Sequence, residues 1–103
     1  MQIRFKDGTK KPCYNPTETM LFRDGKKVAW LFSFVIPASS IEIDEILTQD
    51  NISDIFIESN DEKYGYRKGG YDTVNSVSIT YDEIGGMAEV QLKRSINNEA
   101  DKE

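Results

Sequence analysis

Hydrophobic residues fall on alternate positions along most of this chain, the period of β-strands with one face buried. "QIRFK" sets Ile3 and Phe5 against Gln2, Arg4 and Lys6. Asp7-Gly8 follows, a dipeptide that accepts the positive φ angles of a two-residue hairpin turn. The returning strand, over residues 9–14, carries Pro12, which has no N–H for a ladder and belongs on a sheet edge. The same chemistry recurs downstream: "FKDGTKK" at 5–11 is echoed by "FRDGKK" at 22–27. Two hairpin turns are expected, with flanking lysines that discourage edge-to-edge pairing.

The next strand, residues 27–36, points Val28, Trp30, Phe32, Phe34 and Ile36 one way and Ala29, Leu31, Ser33 and Val35 the other. Both faces are apolar, which predicts a central strand covered on each side, with Trp30 and its neighbours as the core. Pro37 ends it. Ser39 stands three residues before Glu42, the spacing of a capping box. Ile43, Ile46 and Leu47 then follow helical spacing, predicting one short helix over residues 40–49 with Glu42, Asp44 and Glu45 near its N-terminus.

Further strands are expected at 53–59, with Ile55 and Ile57 inward and Phe56 outward, and at 62–67 after an Asn60-Asp61 turn. In 74–82, Val77, Ile79 and Tyr81 oppose Ser76, Ser78 and Thr80; after Gly85-Gly86, Ala88, Val90 and Leu92 alternate inward in 87–94. The sum is a mainly β, α+β domain: an antiparallel sheet of about eight short strands curled into a small barrel or sandwich, with one short helix. A single domain over 1–94 and a disordered acidic tail over 95–103, containing "NNEADKE", complete the expected organisation.

Composition narrows the chemistry. The 103 residues include no histidine and one cysteine. Imidazole-based nucleophile systems, imidazole acid–base catalysis and zinc sites with nitrogen ligands are therefore excluded. Cys13 alone builds neither an intrachain disulfide nor a thiolate metal site, and reads as a small semi-buried side chain. The carboxylates read as capping and solvated groups: Asp50 and Asp54 flank a loop lacking the glycine and distal glutamate of a calcium site. "KGG" and "IGG" are too short to cradle a phosphate. No catalytic residue, metal site or cofactor site is expected.

The longest apolar run, "VAWLFSFVI", has nine residues, whereas a membrane helix needs about 20. "MQIRFKDG" holds no apolar segment of the signal-peptide kind, so cytoplasmic folding is expected. The net charge of −5 is unevenly spread: residues 1–27 carry +4 and residues 28–103 carry −9, with no basic residue from Val28 to Glu62. Such asymmetry orients a chain against a charged partner or its own copies; its plainer reading is two solvated faces.

One run invites a binding role. "YGYRKGGY", 64–71, interleaves Tyr64, Tyr66 and Tyr71 with Arg67 and Lys68. Stacking of bases on these tyrosines would make a small single-stranded nucleic-acid-binding barrel, the alternative function. Two cations beside Asp61, Glu62 and Asp72 give the patch no net charge for phosphates, however, so nucleic acid is disfavoured. A protein surface is the better match for Tyr64, Tyr66, Arg67, Lys68 and Tyr71, since Tyr and Arg are favoured interface residues.

Taken in order, "MQIRFKDGT", the apolar strand, "SSIEIDEILTQDNISDIFI", "YGYRKGGY" and "SVSITYDEIGGMAEVQL" resemble small proteins encoded in prophages of Gram-positive gut bacteria. Their pattern runs M-x-I-x-F, Asn/Asp-Gly-Thr, a strand, an acidic helix, "L-S-E-I-x-I", a "Y-x-x-x-G-Y" step and an alternating strand. The resemblance covers residues 1–94 and departs at "KKPCYNPTE". It implies a non-enzymatic structural or assembly protein, from the neighbourhood of tail or other virion components, acting on protein partners or on its own copies. Incorporation into a virion is the implied alternative to a purely cytoplasmic location, and no catalytic motif comes with it.

Overall fold

In the computed structural model, which describes residues 1–59, 65–83 and 85–96, the strands divide into two four-stranded antiparallel sheets. The first has the order β2-β1-β5-β6, built from β1 (Gln2–Arg4), β2 (Lys10–Pro12), β5 (Asp54–Glu58) and β6 (Gly65–Gly69). The second has the order β3-β4-β8-β7, built from β3 (Tyr14–Arg23), β4 (Lys26–Pro37), β7 (Thr73–Tyr81) and β8 (Gly86–Ser95). Each sheet keeps two edges, so the architecture is sandwich-like and the barrel alternative falls away.

β4 takes the central place its apolar sequence calls for, hydrogen-bonded to β3 on one side and β8 on the other. Phe32, Phe34 and Ile36 are buried, and Ala88, Val90 and Leu92 of β8 lie beside them at zero exposure. Ile3, Phe5, Ile55 and Ile57 close over this surface from the first sheet, and Ile43, Ile46 and Ile52 close over it from the helices. The rings of Phe5, Phe34, Phe32 and Tyr71 run in series, with neighbouring centroids 6.5, 5.5 and 5.9 Å apart.

Two expectations about β4 are corrected. Its second face is covered only in part: Ala29 is fully buried, but Leu31, Ser33 and Val35 are half-buried, and Ser33 Oγ accepts a hydrogen bond from Gln91 at 3.2 Å. Trp30 is likewise half-buried and lies outside the core cluster. The cause is a mismatch of lengths. Strands of the second sheet have 9 to 12 residues and those of the first have 3 to 5. At about 3.3 Å per residue, the longer sheet runs past the shorter one, and Trp30 sits where cover ends.

The expected helix is two. α1 (Ser40–Ile46) starts at the capping box, with Glu42 N donating to Ser39 Oγ and Ser39 N donating to Glu42 Oε1, both at 3.2 Å. α2 (Gln49–Ile52) starts afresh because Thr48 acts as its N-cap, accepting from Asn51 N at 3.3 Å. The buried Asn51 amide donates to Ile46 O at 2.7 Å, satisfying a carbonyl at the end of α1, and its oxygen accepts from Asp7 N at 2.8 Å.

Both Asp-Gly pairs lie in turns, though of different kinds. Asp24 and Gly25 both have positive φ, 53° and 77°, as a two-residue hairpin turn demands. The first loop is longer: Gly8 N donates to Phe5 O and Phe5 N donates to Thr9 O, with Gly8 alone at φ 95°. Strand β8 runs to Ser95, so regular structure reaches one residue past the expected boundary at 94. The Asn60-Asp61 turn and residues 97–103 of the expected tail lie outside the described residues.

Phe34→Ala should cost about 3–5 kcal/mol, the range for a fully buried aromatic, and Trp30→Ala less than half as much, measured by urea denaturation. Gly25→Val should lower stability by more than about 1 kcal/mol, because a β-branched residue resists the φ this turn requires; thermal unfolding checks it.

Candidate interaction surfaces

The tyrosine-rich run is split between the core and a sheet edge. Tyr64 lies outside the described residues. Tyr71 is 3% exposed, its ring stacked on Phe32, so it is no part of a surface. Its hydroxyl lies 3.5 Å from Glu18 Oε2, and burial, then the Glu18 charge, raises its pKa.

Register explains the rest. Lys68 pairs with Ile55 and Tyr66 with Ile57, two inward residues, whereas Arg67 pairs with the outward Phe56. Lys68 therefore reaches into the open side of the sandwich. Its ammonium lies 5.2 Å from the Phe32 ring, 5.4 Å from the Tyr66 ring and 2.5 Å from Glu18 Oε2 on β3. A long stem over aromatic faces with its charge on a carboxylate closes the core at modest desolvation cost. Arg67 is the exposed cation of the run, with Asp54 Oδ1 at 3.5 Å. Of the five expected interaction residues, Tyr66 (44% exposed) and Arg67 face solvent, while Lys68 and Tyr71 serve the fold.

The acidic middle of the chain meets the basic N-terminal region inside the molecule. Arg4 pairs with Glu58 at 3.2 Å, Lys6 with Asp50 at 2.8 Å, and Lys11 with Glu42. Three basic and three acidic charges that make the sequence look polarised are thus matched within the fold. Arg23, Lys26 and Lys27 remain together at the exposed β3–β4 turn.

Around that turn is a surface that alternation did not flag. Met20 pairs with Trp30, and Phe22, two residues on along β3, shares their side. Phe22 is 55% exposed, and Met20 and Trp30 are half-buried. Nearer the core this same side of the sheet carries Phe32. The apolar face thus continues past its cover, and the only advance signal was the hairpin lying beyond a run of inward residues.

Concave sites carry little chemistry. A groove of about 630 Å³ lies between β2, the start of α1 and the start of β8. Of the two carboxylates that line it, Glu42 is engaged by Lys11 and by the Ser39 backbone, which together hold its pKa below the usual value, and Asp82 accepts from Gly85 N at 3.0 Å. Among the described residues, no three metal-ligating side chains converge. Cys13 is 2% exposed, and burial pushes its thiol up to about 11, removing the thiolate that redox or nucleophilic chemistry needs. Among the described residues no helix is long and apolar enough to cross a membrane. No protein-family model, curated protein or solved structure matches this chain.

A lowered pKa for Glu42 means that folding favours its carboxylate. The contribution is complete above the unfolded carboxylate range and fades as pH falls through the folded value. Glu42→Gln keeps a side chain able to complete the capping box and removes the charge facing Lys11, so it should cost up to about 1 kcal/mol at neutral pH, discounted for solvent screening of this partly exposed pair. The gap in melting temperature from wild type should close on acidification below about pH 4, and a gap independent of pH would assign the loss to something other than charge.

Proposed function

We propose that this protein is a non-enzymatic structural or assembly module that works through protein–protein contacts, derived from a phage and associated with its tail or another part of the virion. The phage origin rests on the sequence resemblance. The contact role rests on one observation: the β3–β4 hairpin carries an apolar face past the reach of the first sheet and presents it to solvent.

Met20, Phe22 and Trp30 form that face, and Arg23, Lys26 and Lys27 rim it at the turn. Trp and Arg anchor many interfaces, and aromatic residues and Met are enriched there. A basic rim steers an acidic partner surface and sets its orientation more than its affinity. The hairpin is also stiff where it leaves the core, because β4 is hydrogen-bonded on both sides as far as Ala29. Less ordering entropy is then lost on docking.

The nucleic-acid alternative loses its support. It needs the 64–71 run as a surface, and there Tyr71 is in the core, Lys68 is committed to Glu18, and Arg67 lies beside Asp54.

Immobilised wild-type protein should retain a stoichiometric protein partner from its host cells, and a Met20→Ser, Phe22→Ser variant should lose it while keeping its melting temperature within a few degrees. Retention of nothing by the wild type, or equal retention by the variant, would contradict the hairpin as the contact surface.

A further inference from the structure

The four sheet edges are not equally guarded. Edge β2 carries Lys10, Lys11 and Pro12, and edge β6 carries Arg67 and Lys68. Edge β3 carries Pro16, Glu18 and Arg23, has Asn15 at φ 53° and is broken by two register shifts. Charges, prolines and irregularities of this kind prevent a sheet edge from pairing with another strand. Edge β7 has none of the first two. Its sequence, "TVNSVSITY", holds no charge and no proline over nine residues, and it is irregular only between Val74 and Ser76. Among the described residues, no strand pairs with its outer edge.

We infer that the outer edge of β7 pairs with β7 of a second copy of this chain, antiparallel about a two-fold axis at Ser78. The two four-stranded sheets would then join into one of eight. The choice of a second copy follows from the residues themselves. From Ser76 to Thr80 the strand reads polar, apolar, polar, apolar, polar about Ser78, so it complements itself when reversed. In this register Val77 opposes Ile79 of the other copy on the side that faces the core, and Ser76 opposes Thr80 on the other side. Val77, 37% exposed, and the half-buried Ile79 gain cover where each protomer's own core ends.

Charge selects the register. A two-fold axis at Val77 would set Asp72 against Asp82 twice, and like charges directly opposite destabilise a strand pair. An axis at Ser78 sets Asp82 opposite Val74 and removes both oppositions. It also keeps the paired segment within 76–80, downstream of the irregularity at Asn75. An isologous, self-complementary patch is the usual route to a closed dimer. This pairing uses a different face from the β3–β4 hairpin, so the two readings stand or fall separately.

The test combines mass and cross-linking. Multi-angle light scattering should give the wild type twice the 11.8 kDa chain mass, and Ser78→Lys, which sets two ammonium groups against each other, should return it to 11.8 kDa with an unchanged circular dichroism spectrum. Opposed residues in an antiparallel pair have Cα atoms about 4.5–5.5 Å apart, within reach of a disulfide. Ser78→Cys should therefore oxidise to a disulfide-linked dimer, and the native Cys13, being buried, should not link the wild type. Ser76→Cys should not link to itself, since its equivalents lie about 13 Å apart along the strands, but should link when mixed with Thr80→Cys. A wild type still monomeric at about 0.5 mM overturns the inference, whether β7 stays bare or takes a foreign strand. So does a dimer that survives Ser78→Lys and leaves Ser78→Cys unlinked.

Discussion

The contact between the inner face of β4 and the short first sheet is what the rest of the molecule depends on. Phe32, Phe34 and Ile36 meet Ile3, Phe5, Ile55 and Ile57 with almost no exposure on either side. Removing such side chains from water contributes about 1.5–3 kcal/mol each, more than any surface ion pair in this protein can supply. The helices, the switch of sheets at Cys13 and the closing lysine take their places around that contact. Lys68 lies over Phe32 because the ring is there, and Glu18 receives its charge because β3 is paired to β4 opposite that same ring.

The same contact determines what is left outside. A first sheet of short strands covers only part of a second sheet built from long ones, so the long sheet projects at one end; being open, it also keeps an edge on each flank. At the projecting end the face that carries Phe32 continues as Trp30, Met20 and Phe22 beside a cluster of basic residues. Along one flank, β7 offers a charge-free strand where the other three edges are guarded. The first surface follows from unequal strand lengths, the second from the composition of β7. The proposed contact role draws on the first, the pairing of copies on the second.

Much of this could be read from alternation. It located β4 and β8 and assigned Phe32, Phe34, Ile36, Ala88, Val90 and Leu92 to the buried face; at β5 it separated Ile55 and Ile57 from Phe56. Ser39 and Glu42 marked the start of α1 because capping is a local interaction between near neighbours. What could not be read was set by distant parts of the chain. Trp30 alternates in phase with the core residues, yet its burial depends on how far the first sheet extends, which no local pattern encodes. The break between α1 and α2 turns on Thr48 and Asn51, whose side chains claim backbone groups that a continuous helix would have used. Tyr71 and Lys68 looked like surface residues because they stand among glycines and charges. Their burial follows from pairing with Ile55 and from stacking on a ring 39 positions earlier in the chain.

Residue-resolved amide hydrogen exchange measures the central contact most directly. If the two sheets are held together by the face of β4, the amides of residues 32–36, 88–92 and 55–57 should be the last to exchange and should do so with a common free energy, while those around Trp30 exchange earlier. Separate exchange of the two sheets, or stronger protection around Trp30 than around Phe34, would contradict a single core built on Phe32, Phe34 and Ile36.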